Sequence, residues 1–228
     1  HALLALQGSF LYGFSYVCVY HAELYIVSGL VAVGYSASPL VAGLGANVLF
    51  GVRVTGRFVF GGLLGLAGIV LIFWPEFGRA AGGHGVLLGA LFTIAAVLLS
   101  TVGSLTAFRN RKHKLPFWPA LGFGMLYGAA IGAIVALLQG ESFAVPEAAS
   151  WWLSLLYLAL AGSVLTFACF LTLQERIGPG PSGSIGVMTP LLALLVSIAF
   201  EGFRPNALTF TGAALALLGN VLMLRRVR

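Results

Sequence analysis

Residues 177–200 read IGPGPSGSIGVMTPLLALLVSIAF. An opening rich in Gly, Pro and Ser leads into a long apolar run with Pro190 near its middle. No charged residue lies between Arg176 and Glu201. A run of this length crosses a hydrocarbon core of about 30 Å as a helix. Proline inside a helix removes a backbone hydrogen bond. Membrane proteins keep such breaks where neighbouring helices or a cavity satisfy the freed carbonyl. The stretch therefore reads as a broken membrane helix.

An altered copy of it occurs earlier. Displacing the chain by 151 positions lays Pro39 on Pro190 without a gap. In that register Cys18, Ile26, Gly29, Leu40 and Ala42 meet Cys169, Ile177, Gly180, Leu191 and Ala193. Further on, Gly51, Arg53, Gly61, Gly68, Val70 and Leu71 meet Gly202, Arg204, Gly212, Gly219, Val221 and Leu222. Apolar composition alone yields chance Leu and Val matches, but it does not align a proline, an arginine, a cysteine and several glycines in one frame. The chain contains an internal repeat.

Composition agrees with a membrane protein. The 228 residues are 60% hydrophobic and 8% charged, with mean hydropathy +1.03, whereas soluble domains carry about 25% charged residues. The 31 glycines suit close packing of helices in lipid. The two cysteines lie in apolar runs, expected in opposite leaflets, so no disulfide is expected. No CxxC or Cys/His cluster suggests a metal site, and no cofactor motif is present. No charged n-region or cleavage site opens the chain; it starts at His1 inside an apolar run and reads as the remainder of a longer protein.

Hydropathy marks eight candidate spans: Leu3–Tyr20, Leu24–Phe50, Phe58–Trp74, Val86–Phe108, Phe117–Leu138, Trp151–Leu173, Ser182–Phe200 and Leu208–Leu224. Gly82-Gly83, Pro116, Pro146 and Pro179/Pro181 punctuate the short loops. With His1 placed in the cytoplasm and the sides alternating, Arg53, Arg57, Arg109, Arg111, Lys112, Lys114, Arg176, Arg225, Arg226 and Arg228 fall inside. Only Arg79 and Arg204 fall outside, together with Glu23, Glu76, Glu141, Glu147 and Glu201. The positive-inside rule selects this orientation. It also makes the basic segment RNRKHK a topology determinant, so the net charge of +6 does not imply nucleic-acid binding.

The three spans of 1–75 correspond to the last three of the five spans in 84–228. The counterparts of the other two would precede residue 1. The expectation is an all-α polytopic bundle with eight of ten spans, arranged as two five-helix repeats. An odd number of spans threads the second repeat in the opposite sense, as in the inverted-repeat carriers.

Two stretches carry a family resemblance. One is LYLALAGSVLTFACFLTLQERIGPGPSGSIGVMTPLLALLVSIAFEGFRPNALTFTGAALALLGNVLML; the other runs from AELYIVSGLVAVGYSASP through FGVRVTGRFVFGGLLGLAGIVLIF. The chain resembles the EamA-type branch of the drug/metabolite transporter superfamily. It departs in lacking an acidic residue after the helix-end glycine, having Glu201-Gly202 and Phe50-Gly51 there. The resemblance implies a ten-helix carrier of the bacterial inner membrane with cytoplasmic termini. It also implies a central cavity between the repeats and export of amino acids or other small metabolites. The expected partners are a small-molecule substrate and the bilayer, with the chain a monomer or homodimer.

Polar stripes at helical spacing supply the candidate lining: Ser9, Tyr12, Tyr16 and Tyr20; Ser28, Tyr35 and Ser38; Thr93, Ser100 and Ser104; Gly162, Thr166 and Cys169; Ser182, Gly186 and Thr189. Of these, Tyr12, Tyr16, Tyr35, Ser38, Ser100, Ser104, Thr166, Gly186 and Thr189 are the expected substrate contacts. Pro39 and Pro190 are the expected kinks, with the carbonyls near 35 and 186 freed toward the cavity. The competing reading is structural: Ser and Thr in membrane helices bond their own backbone or a neighbour. Tyrosine offers a ring face and a polar tip together, which suits neutral or aromatic amino acids; a lipophilic cation is the alternative. No span carries a mid-membrane charge, so no proton relay of the usual kind is legible, and Glu23 and Glu175 read as gate or interface charges. An intramembrane serine protease would use Ser182 or Ser184. Position 184 is Ser where GxSxG needs its second glycine, and His1, His21, His84 and His113 sit at span ends or in loops.

Overall fold

Every regular element among the described residues is a helix. The computed structural model describes residues 1–75, 84–141, 147–200 and 205–224. Glu76, Arg79, Gly82, Gly83, Pro146, Glu201, Gly202, Arg204, Arg225, Arg226 and Arg228 lie outside them. We number the helices α1 (Ala2–Glu23), α2 (Ser28–Tyr35), α3 (Ser38–Phe50), α4 (Gly56–Ile72), α5 (His84–Lys112), α6 (Phe117–Leu138), α7 (Ala149–Ile177), α8 (Pro179–Ser182), α9 (Ile185–Phe200) and α10 (Ala207–Leu224). Six are long and apolar enough to cross a membrane: α1, α2–α3 taken together, α5, α6, α7 and α10. The other two expected spans are shorter, 17 residues in α4 and 16 in α9.

Local chemistry sets the boundaries. Gly51 ends α3 at φ +65 and Gly140 follows α6 at φ +75, a left-handed conformation that costs glycine little. The Thr55 hydroxyl accepts from the Phe58 N–H at 3.2 Å and opens α4. Asn206 and Thr209 cap α10 reciprocally, the Thr209 N–H donating to Asn206 Oδ1 at 2.9 Å and the Asn206 N–H to Thr209 Oγ1 at 3.3 Å.

The two prolines differ in kind. Pro190 lies inside α9. Pro39 does not kink a continuous helix: the chain breaks at Ser36-Ala37, and Pro39 occupies the first turn of α3. A missing N–H is harmless there, because first-turn donors have no helical partner. The break leaves the Tyr35 carbonyl oxygen facing Gly186, where a methyl group would lie 2.8 Å from it.

Helix directions follow from the contacts. Gly8 packs on Gly124 and Gly128 on Tyr12, so α1 and α6 run parallel; Gly103 packs on Leu11 while Asn110 bonds Gln7, so α1 and α5 run antiparallel. Gly34 on Thr93 and Gly45 on Leu105 make α2–α3 parallel to α5. Among the described residues the most extensive seam joins α4 to α10. A methyl on Gly61 would meet the Gly219 carbonyl oxygen at 2.7 Å, and one on Gly68 would meet the Gly212 oxygen at 2.5 Å. These helices therefore run antiparallel in backbone contact, as small-residue stripes permit in lipid. In the 151-residue register Gly61 corresponds to Gly212 and Gly68 to Gly219, so the two contacts exchange equivalent positions.

Two apolar clusters brace this arrangement. Val33, Ile69, Val187, Leu191 and Ala216 tie α2, α4, α9 and α10 together. Leu11, Ala107, Leu121, Ala168 and Leu171 tie α1, α5, α6 and α7.

Candidate functional site

A cavity of about 640 Å³ opens between α1, α6 and α7. Helix α1 contributes Tyr12, Tyr16, Tyr20 and His21, α6 contributes Met125, Gly128, Gly132 and Gln139, and α7 contributes Ser163 and Phe167. The volume lies within the roughly 300–1,000 Å³ usual for small-molecule sites. The described residues of the lining include no Asp, Glu, Lys or Arg. Among the described residues no group of three or more His, Cys, Asp or Glu is placed to hold a metal ion.

The walls owe their shape to glycine and to helix winding. Gly124 and Gly128 let α1 approach α6, while Gly132 meets no atom and leaves space at the lining. Helix α1 widens to π winding over Ser9–Phe14, and α7 does so over Leu158–Leu165. Displacing the first segment by 151 positions gives 160–165, inside the second, so the π windings coincide in that sequence register. Tyr12 and Gly13 come from one, and Ala159, Ser163 and Val164 from the other. Such windings recur at functional sites because they re-aim side chains. Ser163 and Thr166 donate to the carbonyls five residues back, Leu158 at 3.0 Å and Ala161 at 2.7 Å, so their hydroxyls are held against their own helix.

The cavity is closed at the end that carries the basic loop 109–114. Tyr12 and Phe167 meet edge to face at 4.7 Å and form its floor. Beneath them lies the Leu11–Ala107–Leu121–Ala168–Leu171 cluster. Next comes a buried pair, in which Asn110 Nδ2 donates to Gln7 Oε1 at 2.9 Å. At the edge Arg111 grips Glu175 through Nε and Nη2, at 2.9 and 3.1 Å, and donates to the Leu115 carbonyl at 2.8 Å. Its guanidinium also lies 5.2 Å from the Phe117 ring centre. Glu175 thus joins α5 to α7, while Glu23 is exposed. The Tyr12 hydroxyl is buried beside the Gln7 side chain.

The residues expected from the sequence divide into groups. Tyr12 and Tyr16 line the cavity. Tyr35, Ser38 and Gly186 gather at a packed junction instead, Gly186 lying against the Tyr35 carbonyl and Ser38 Oγ, while Ser100 donates to the Val97 carbonyl at 3.0 Å. Ser104 is buried and donates to Thr101. Exposed Thr166 and Thr189 donate to their own helices at Ala161 and Ile185. Pro39 packs on Gly183, and neither proline lines the cavity. Ser182 is fully buried and donates to the Pro179 carbonyl at 3.1 Å, so its hydroxyl is turned away from any opening.

Sequence reasoning missed His21, Gln139, Ser163 and Phe167. His21 and Gln139 sit at helix ends, where polar residues are ordinary. The Gly124, Gly128 and Gly132 stripe on α6 was a usable signal for the wall that α1 approaches.

Comparison with known proteins places this architecture. The sequence pattern of the EamA-like transporter family matches residues 87–225, more than half of the chain. The chain is similar to YedA, an uncharacterized inner membrane transporter of Escherichia coli strain K12, at 26% identity over 179 residues, which cover 78% of this chain and 55% of that protein. It is also similar to YetK, an uncharacterized transporter of Bacillus subtilis strain 168, at 26% over 195 residues, covering 83% and 57%. The chain therefore spans about half the length of the curated relatives it matches. A solved structure, described only as a protein, shares the fold with TM-score 0.81 and 22% identity over 98% of this chain and 76% of its own.

Proposed function

Since this chain belongs to the EamA-like transporter family, we propose that it is a membrane carrier for small metabolites, with neutral or aromatic amino acids as its substrate class. One observation carries the reading: a cavity of about 640 Å³, free of formal charge and faced by Tyr12, Tyr16, Tyr20 and Phe167, between repeat-equivalent π windings. Aromatic faces take up an apolar side chain, while hydroxyl, amide and imidazole groups take up its polar end. A lipophilic cation fits less well, because no carboxylate lines the space to pair with it.

The carrier operates by alternating access between inverted repeats, 1–75 against 84–228. Support comes from the seam of α4 and α10, in which equivalent glycines exchange partners across an antiparallel contact. A pseudo-two-fold axis in the membrane plane produces that exchange. The basic loop and the C-terminus face the cytoplasm by the positive-inside rule, in a bacterial inner membrane as for YedA. The layered closure from Tyr12 to Arg111 then makes this conformation shut toward the cytoplasm and open outward.

Counterflow in proteoliposomes tests the proposal. Vesicles loaded with unlabelled phenylalanine and holding the whole protein should accumulate labelled phenylalanine transiently. Absence of counterflow with every neutral or aromatic amino acid would refute the substrate class; absence with any metabolite offered would refute the carrier.

A further inference from the structure

The outer part of the cavity holds a group that the carrier reading does not use. His21 lines it on α1 opposite Gln139 of α6. Its Nδ1 lies 2.8 Å from the Val17 carbonyl oxygen, and its Nε2 lies 2.9 Å from Gln139 Nε2. A carbonyl oxygen only accepts, so Nδ1 carries a hydrogen in either protonation state. The neutral ring then presents Nε2 as an acceptor, filled by the Gln139 amide N–H. Phe92 of α5 packs beside the ring at 5.4 Å. The tautomer and the orientation are thus fixed by neighbours.

Protonation changes this arrangement. With Nε2 bearing a hydrogen, Gln139 keeps its contact only by turning its Oε1 to the ring; otherwise the ring N–H and the amide N–H are both free to meet an acceptor beside them. A carboxylate supplies two oxygens and one negative charge. The described lining offers no lysine or arginine, so a monoanion is matched by the single imidazolium and a dianion is not. The other described titratable side chains near His21 in the sequence are Tyr16, Cys18, Tyr20 and Glu23 on α1, Tyr25 just beyond it, and, near Gln139, Glu141 past the end of α6. Both glutamates are exposed, and neither pairs with His21 among the described residues.

We infer that His21 and Gln139 form a carboxylate subsite of the cavity, and that His21 takes up one proton from water when a carboxylate-bearing solute binds. This rests on the carrier reading. It assigns the substrate's charged end to the outer part of the cavity and its apolar end to the Tyr12–Phe167 floor. The carboxylate meets a donor at Nε2 only when the ring is charged, so anion and proton bind together.

The test compares L-phenylalanine with L-phenylalaninol, which keeps the ammonium group and lacks the carboxylate, on the whole purified protein. As the pH falls from 8, phenylalanine affinity should rise, by at most about tenfold per unit, the limit for one coupled proton, while phenylalaninol affinity should stay flat. A pH-indicator dye should register one proton taken up per phenylalanine bound and none for the alcohol, a readout that needs no variant. His21→Gln should bind phenylalanine more weakly and without the pH slope. Gln139→Leu should weaken phenylalanine binding and keep the slope. If the wild-type slope is flat, or His21→Gln retains it, or no proton is taken up, the subsite is wrong while counterflow still upholds the carrier. If neither ligand binds and no metabolite exchanges, both readings fall.

Discussion

Gly68→Ala is a sharp test of how the two halves are joined. At the α4–α10 seam the new methyl would lie 2.5 Å from both the Ala216 nitrogen and the Gly212 carbonyl oxygen, and 3.0 Å from the Ala216 Cα. Ordinary contact requires about 3.5 Å, so the helices must separate by about 1 Å. Every contacting atom is backbone, so no side chain can swing aside. A gap of that size forfeits roughly a quarter to a half of the dispersion energy along the seam, and overpacking costs about 1–3 kcal/mol. We take about 3 kcal/mol, because α4 and α10 meet at successive glycines along their length. For a chain of this size that is a fall in midpoint of roughly 6–12 °C, read by thermal unfolding of the detergent-solubilised protein. Gly122→Ala is the control, since nothing lies within 4 Å of its added methyl. It should leave the midpoint unchanged or raise it slightly, alanine being the better helix former by up to about 1 kcal/mol. Equal midpoints for Gly68→Ala and wild type would refute the backbone contact.

Three further outcomes follow from the cavity and its closed end. Tyr16→Ala removes a lining ring and should raise the half-saturation concentration for phenylalanine roughly two- to tenfold while the protein elutes as wild type; unchanged exchange would remove Tyr16 from the site. Arg111→Gln breaks the grip on Glu175, whose side chain is 43% exposed, so it should cost under about 1 kcal/mol in thermal unfolding; a collapse of stability would mean that the pair holds the fold. Asn110→Leu strands the buried Gln7 Oε1 acceptor and should cost about 1–3 kcal/mol, checked by the same unfolding measurement; a stabilised protein would show that the amide pair is dispensable.

The architecture was legible wherever it rests on apolar length. Helix α6 occupies Phe117–Leu138, the limits read from hydropathy, because Pro116 and Gly140 punctuate it chemically. The 151-residue register aligned Gly61 with Gly212 and Gly68 with Gly219, and these are glycines that meet across α4 and α10. The winding within helices was not legible. Residues 9–14 and 158–165 look like any apolar helix, and the π turns arise from packing rather than composition. Pro39 misled for a related reason: a proline within a long apolar run reads the same whether it kinks a helix or starts a new one after Ser36-Ala37. Spacing also could not separate hydroxyls that face the cavity from those that do not: Ser104, Thr166 and Thr189 donate to their own backbone and are not among its lining. His21 was overlooked because sequence spacing cannot bring it together with Gln139, 118 residues away.

The most direct test asks whether solute passes through the space between α1, α6 and α7. Ala129→Cys places a thiol on the cavity wall, in a background where Cys18 and Cys169 are replaced by alanine. The account predicts that a membrane-impermeant thiol reagent arrests phenylalanine exchange and that phenylalanine slows the modification. Complete labelling with exchange continuing at its full rate would contradict it.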